Sequence, residues 1–261
     1  MALRIPNHDF VNGPPLSNFQ LFNVMDTNPH KTGLLGSYFL GGKSADPTYN
    51  YANPDLPLLV HGNPDVSDPR FAKLSRLTGY FDTQLPSTTS QTIVALCRQQ
   101  PTTQQSPSPL ISNYLKVDAS NVSGDSLMKR WRTDGTSEVA FYAQTTETAV
   151  TLVTRGDQVA GDKFNVVGGV VITSGTLIGA WSMNETSNPG FNQTGMASRS
   201  TTTRPFLIGS TYSDTEFTSY ASISAMLIYE GDIKGTPMTN VMNWLRNVVG
   251  VEAGIWTAPK S

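Results

Sequence analysis

Cysteine is almost missing from this chain. Cys97 is the only one among 261 residues, which excludes an intrachain disulfide and a thiolate-bound metal cluster. It stands in "TIVALCR", an apolar, strand-like run, where a small buried hydrophobe is the expected role. Charge is scarce too: Asp, Glu, Lys and Arg make up 15%, against about 25% in an average soluble domain. The net charge of −2 offers no attraction to nucleic acid or to an anionic membrane, so neither is expected as a partner. No stretch approaches the roughly 18 consecutive apolar residues of a membrane span. "MALRIPNHDF" lacks the apolar core of a secretory signal, so the chain is expected to be made in a cytoplasm and to stay soluble, unless it leaves as part of a larger particle. The Asn-x-Ser/Thr triplets at Asn121, Asn184 and Asn192 then read as chance, because glycosylation needs the secretory route.

Histidine is rare as well. His8, His30 and His61 all fall in the irregular first part of the chain, with no i, i+4 pair and no acidic neighbour at ligand spacing. Loop or surface positions are expected for them rather than metal ligation.

Thr, Ser, Asn, Gln, Gly and Pro take the place of the missing charges, and these are the residues of turns and uncharged solvent faces. Many short strands joined by loops fit that composition better than a helical protein. Nine of the 17 prolines precede residue 70, where no helical or strand period is sustained. That stretch is nevertheless rich in large apolar residues, among them Phe10, Leu16, Phe19 and Phe22. A disordered tail is poor in such residues, so an extended arm that buries them is expected over the first residues. The surface that receives it is either its own domain or a neighbouring subunit.

From about Leu77 the texture changes to strand candidates separated by turn clusters. They are "TIVALCR" (92–98), "ISNYLKV" (111–117), "EVAFYAQ" (138–144), "AVTLVTR" (149–155), "KFNVVGGVVIT" (163–173), "TLIGAWSMN" (176–184), "RPFLIGS" (204–210) and "YASISAMLIYE" (220–230). With no helical period between them, they predict an antiparallel β-sandwich. In the last one Ala221, Ile223, Ala225, Leu227 and Tyr229 share a face, and Met226 and Ile228 make the other face apolar too. After a short turn, Met238, Val241, Met242, Leu245, Val248 and Val249 recur at helical spacing. Thr236 as N-cap, Pro237 at the first position and Gly250 as the stop complete the expectation of one helix capping the sandwich.

A core strand "ISAMLIYE", a turn, and a helix ending "NWLRNVVG" resemble the close of concanavalin A-like (laminin-G-like) jelly-roll domains. "FLIGS" (206–210), the "KFNVVGGVVITSGTLIGAWSMN" hairpin and "QTIVALCR" are similar to earlier strands of that family in the same order. The likeness covers roughly residues 77–250 and departs at "AWSMNETSNPG", where the family has a "YVNG" loop. It implies an all-β fold: an antiparallel jelly-roll sandwich over residues 71–261, behind an extended Pro/Asn-rich arm and irregular segment, 1–70.

Glycoside hydrolases on this scaffold carry alternating acids on one strand, spaced for acid and nucleophile. Glu138 is isolated, Glu147 sits in a turn, and Asp214 and Glu216 stand in a loop, so no catalytic residue is assigned and no enzyme is expected. Relatives with calcium sites raise the same question for Asp157 and Asp162, which a hairpin turn explains equally well, and no metal or cofactor is assigned. "RWRTDGT" and "TYSDTEF" place Trp131, Asp134, Tyr212 and Asp214 near strand ends. Aromatic faces with carboxylate acceptors are what a sugar ring needs; simple packing of Trp131 and Tyr212 at the sandwich edge is the alternative. The resemblance, the arm and the low charge together point to a non-enzymatic virion component. A bacteriophage tail fibre, baseplate or capsid-decorating protein is expected, made in the host cytoplasm, homo-oligomeric, with other virion subunits and a glycan as partners. A soluble lectin or polysaccharide-active enzyme is the other reading.

Overall fold

The computed structural model describes residues 24–41, 44, 46–99, 107–132, 134–160, 162–173 and 176–257. Among these, sixteen strands pair antiparallel into two seven-stranded sheets and one two-stranded ladder. Sheet A runs β1 (Leu34–Phe39), β16 (Ala221–Glu230), β5 (Gln91–Gln99), β12 (Asn165–Ile172), β13 (Leu177–Met183) and β14 (Gly190–Gly195), with β3 (Ala72–Leu74) also on β16. Sheet B runs β11 (Ala149–Ala160), β10 (Thr136–Thr146), β9 (Ser126–Trp131), β6 (Ser108–Ser112), β15 (Pro205–Ile208), β4 (Gly79–Pro86) and β2 (Leu59–Gly62). The ladder joins β7 (Leu115–Lys116) to β8 (Val122–Ser123). The expected all-β antiparallel sandwich with a C-terminal helix is the observed architecture.

Register explains the core. Phe81, Ile208, Ile111, Leu127, Phe141 and Val153 stand opposite one another across six strands of sheet B, forming one apolar row. This row meets the inner face of sheet A, which includes Ile93, Ala95, Val167, Val171 and Met226, in a single buried cluster. Cys97 belongs to that cluster, as the sequence suggests. The glycine pair in "VVGGVV" lets both faces of β12 be approached closely. A Cβ on Gly169 would come within 2.3 Å of the Phe141 ring, and one on Gly168 within 2.3 Å of the Met238 Cε.

The outer face of sheet A is covered by helix α1 (Thr236–Trp244), which continues through a π-helical turn (Leu245–Val249) into a last turn (Gly250–Glu252). Met238, Val241, Met242, Leu245 and Val249 pack there with Val94, Leu96, Val166 and Leu227. Val248 lies off this face and is exposed. Two helix ends differ from expectation. Gly235, not Thr236, is the N-cap, since its carbonyl accepts the first helical bond, from Thr239 N–H at 3.0 Å. Gly250 does not stop the helix. It is helical itself, and the chain turns off at Gly254 (φ 76°), where Ile255 N–H bonds Gly250 O and Gly254 N–H bonds Val251 O. The lack of a side chain at Gly250 serves packing instead: a Cβ there would lie 2.5 Å from the Trp256 ring.

The boundary expected at residue 70 falls too late. Leu34–Phe39 and Leu59–Gly62, assigned to the irregular segment 1–70, are strands of sheets A and B. β1 is buried on both faces from Gly36 onward, so it lacks the alternation that marks a half-exposed strand. β2 is an edge strand with almost nothing buried, and it hides its period for the opposite reason. "ISNYLKV" is also two strands rather than one. Asn113 breaks it, its side chain accepting from Asp125 N–H at 2.7 Å and donating to Arg204 O at 3.1 Å. The arm residues Phe10, Leu16, Phe19 and Phe22 lie outside the described residues.

Candidate functional site

Sheet B carries a cleft on its outer face, at the edge formed by β2 and β4. Alternation along β4 turns Phe81 and Thr83 inward, which leaves Tyr80 and Asp82 on the outer side. His61 of β2 stands directly opposite Tyr80. Their rings stack with centroids 4.8 Å apart and planes within 5°, a cross-strand pair of the kind that stabilises sheets. Asp82 lies opposite Leu207 of β15, whose side chain forms the floor. One Asp82 oxygen accepts the Gln84 N–H at 2.7 Å, and the other lies 4.0 Å from His61 Nε2.

The segment after β15 folds back as the far wall. Tyr212 N–H bonds Tyr114 O at 2.9 Å, and Arg76, from the turn before β4, braces the loop from the other side. Its Nη1 donates to Ser213 O at 2.7 Å and Thr211 O at 3.3 Å, while Nη2 pairs with Asp214. Burial pushes the Tyr212 phenol up to about 12, helped by the Asp82 carboxylate and opposed by the Arg204 guanidinium. The phenol is therefore neutral at physiological pH and able to donate. Arg204 sits 5.9 Å from the Tyr212 ring. The open cleft has a volume of about 340 Å³, at the small end of ligand pockets.

Of the four residues expected at a binding site, Tyr212 and Asp214 line this cleft, and Trp131 and Asp134 do not. Trp131 ends β9 opposite Ser137, with β6 standing between its strand and β15. Asp134 occupies the following turn, where the Thr136 hydroxyl and backbone N–H hold its carboxyl below the usual range. That pair is a hairpin end, apart from the cleft. Sequence reasoning missed His61, Arg76, Tyr80 and Asp82. From sequence His61 reads as a surface or loop residue; the alternation "GYFDT" is the available signal for Tyr80 and Asp82, and Arg76, in the turn before it, has none.

Two further acids are accounted for by ion pairs. Glu138, isolated in sequence, accepts from Arg130 Nε at 2.7 Å and from Arg132 Nη1 at 3.2 Å. Glu216 pairs with Lys116 and accepts from the Tyr114 hydroxyl at 3.2 Å. Trp181 is core, as expected, stacked on Phe191 at 4.3 Å. Among the described residues, no three His, Cys, Asp or Glu side chains come together as a metal site would require. As an assembly of groups, the cleft offers aromatic faces, hydroxyls and two carboxylates, of which Asp214 is paired with Arg76.

No protein-family model matches the sequence, and no curated protein does. Solved structures do match in fold. The binding domain of botulinum neurotoxin DC, in complex with SialylT, aligns with a TM-score of 0.55 at 11% identity, over 83% of this chain and 52% of that one. A botulinum neurotoxin type C structure, described as depending on two ganglioside molecules for cell entry, gives 0.53 at 12% identity, over 86% and 53%. The enzymatically active domain of bacteriophage CBA120 tailspike protein 2 gives 0.50 at 8% identity, over 71% and 29%. The chain thus spans about half the length of those neurotoxin chains and under a third of the tailspike chain. At these identities the likeness is one of fold, and the fold shared is an all-β, jelly-roll-like sandwich of two antiparallel sheets.

Proposed function

We propose that this chain is a non-enzymatic, glycan-binding component of a virus particle, built on a concanavalin A-like jelly roll. The observation that carries the binding part is the cleft itself. The stacked His61–Tyr80 rings and Tyr212 supply apolar faces for sugar C–H groups, and Asp82 between them accepts hydroxyl protons. The names of the similar structures, a sialyl-ligand complex, a ganglioside-dependent toxin and a phage tailspike, agree with that reading. Binding without turnover is proposed because neither cleft acid is placed as a free pair: Asp214 is tied to Arg76 and Asp82 holds the Gln84 N–H. Glycan-array binding by the full chain tests it. Asp82→Asn removes a charge-assisted bond worth about 1.5–3 kcal/mol, so affinity should fall by roughly tenfold to a hundredfold with the fold intact. Equal binding by the variant would remove the cleft from consideration.

The virion part, as a tail-fibre, baseplate or capsid-decorating subunit, rests on the arm. The described chain is anchored from its first residues: Met25 is buried, Trp244 Nε1 donates to Thr27 Oγ1 at 3.0 Å, and Asn28 bonds the Tyr229 hydroxyl at 2.9 Å. A chain beginning at Val24 should therefore keep its fold. Sedimentation velocity should find a homo-oligomer for the full chain and a monomer for this truncation. An unchanged oligomer, or a monomeric full chain, would end the assembly reading.

A further inference from the structure

We infer that the cleft on sheet B selects a neutral sugar over a sialylated or otherwise anionic one, an inference that rests on the cleft being a glycan site. A carboxylate is held most strongly by a guanidinium that presents two parallel N–H groups to it. Arg76 is the one Arg or Lys among the cleft-lining residues, and its guanidinium is already engaged. Ser213 O at 2.7 Å and Thr211 O at 3.3 Å take both Nη1 donors, and the Asp214 carboxylate takes one Nη2 donor and offsets its charge. Arg204 is directed elsewhere, with Nε on Asn113 O at 3.1 Å and Nη2 on Ser123 Oγ at 2.7 Å.

Charge in the cleft points the same way. Asp82 and Asp214 face one Arg, with His61 as the remaining titratable ring. Two carboxylates against one guanidinium disfavour an anionic ligand. His61 Nε2 is buried and lies 4.0 Å from the Asp82 carboxylate, so it is not presented to a ligand. What the cleft leaves open is suited to hydroxyl groups: the second Asp82 oxygen, and the neutral Tyr212 phenol. Arg76 is in this account a positioning residue, holding the Thr211–Asp214 wall in place.

The test uses the full chain on matched pairs of glycans that differ only in a terminal sialic acid, probed at low and high salt. Neutral members should bind at least about tenfold more tightly than their sialylated partners, and their binding should change little with salt because no ion pair forms with the ligand. Asp214→Asn, at an exposed side chain, releases Arg76 from its counter-ion. This variant should move the preference severalfold toward the sialylated members. A wild-type preference for sialylated glycans, or an unmoved preference in Asp214→Asn, overturns the inference and leaves glycan binding standing. Failure to bind either kind overturns the glycan reading itself.

Discussion

Arg199→Ala is expected to destabilise the protein by about 3–5 kcal/mol, the usual loss when one partner of a buried ion pair is removed. The Arg199 side chain is 5% exposed and that of Asp125 0%. They form a two-pronged bridge, Nη1 to Oδ1 at 2.6 Å and Nη2 to Oδ2 at 2.9 Å. Gln91 Nε2 and Gln144 N–H, both at 2.8 Å, also donate to the Asp125 carboxylate. Arg199 also donates to Thr88 O at 2.6 Å, Thr89 O at 3.2 Å and Gln144 O at 3.3 Å. One guanidinium thus clasps the segment after β14 to the entry of β5 in sheet A and to β9 and β10 in sheet B. Its removal leaves a buried carboxylate without its cation and several carbonyls without donors. Arg199→Lys should recover only part of the loss, because a point charge cannot reproduce the fork. Denaturant unfolding measures both. A loss under about 1 kcal/mol for Arg199→Ala would mean that water replaces the guanidinium and that the clasp is dispensable.

Leu245→Ala should cost about 2–5 kcal/mol, the range for emptying a well-packed leucine site. Leu245 is fully buried at the head of the π-helical turn, among Met238, Val241, Met242 and Val249 on the outer face of sheet A. The neighbouring strand surface is pre-formed by backbone pairing, so it has little freedom to collapse into the void. Val248→Ala is the control: this side chain is 38% exposed, and its loss should stay within about 0.5 kcal/mol. Comparable losses at the two positions would show that the helix is not seated by this face.

Local periodicity was readable wherever one face of an element is buried and the other is not. "EVAFYAQ" and "AVTLVTR" were legible as short apolar runs between turn residues; they pair as neighbours in sheet B and send Val139, Phe141, Ala143 and Val153 into the core. The 3.6-residue spacing from Met238 to Val249 is the imprint of a helix laid on a sheet. By itself, then, the sequence determined an all-β sandwich closed by one helix, a buried cysteine and a core Trp181. It also placed Tyr212 and Asp214 among the candidate binding residues.

The rest required tertiary structure, for reasons that differ from residue to residue. β1 is buried on both faces and β2 on neither, so neither strand displays a period of two. Asp125 and Arg199 are a buried pair only because loops from both sheets converge there; along the chain each is an ordinary polar residue in a turn. Gly250 looks like a helix stop, yet the ring of Trp256 is what requires its missing side chain. The cleft is the plainest case. His61 and Tyr80 become a stack through β2–β4 pairing, and Tyr212 and Asp214 reach them because β15 lies beside β4. Such pairings between distant strands are decided by burial of the Phe81–Ile208–Ile111 row beneath them, not by any local signal at the residues that form the site.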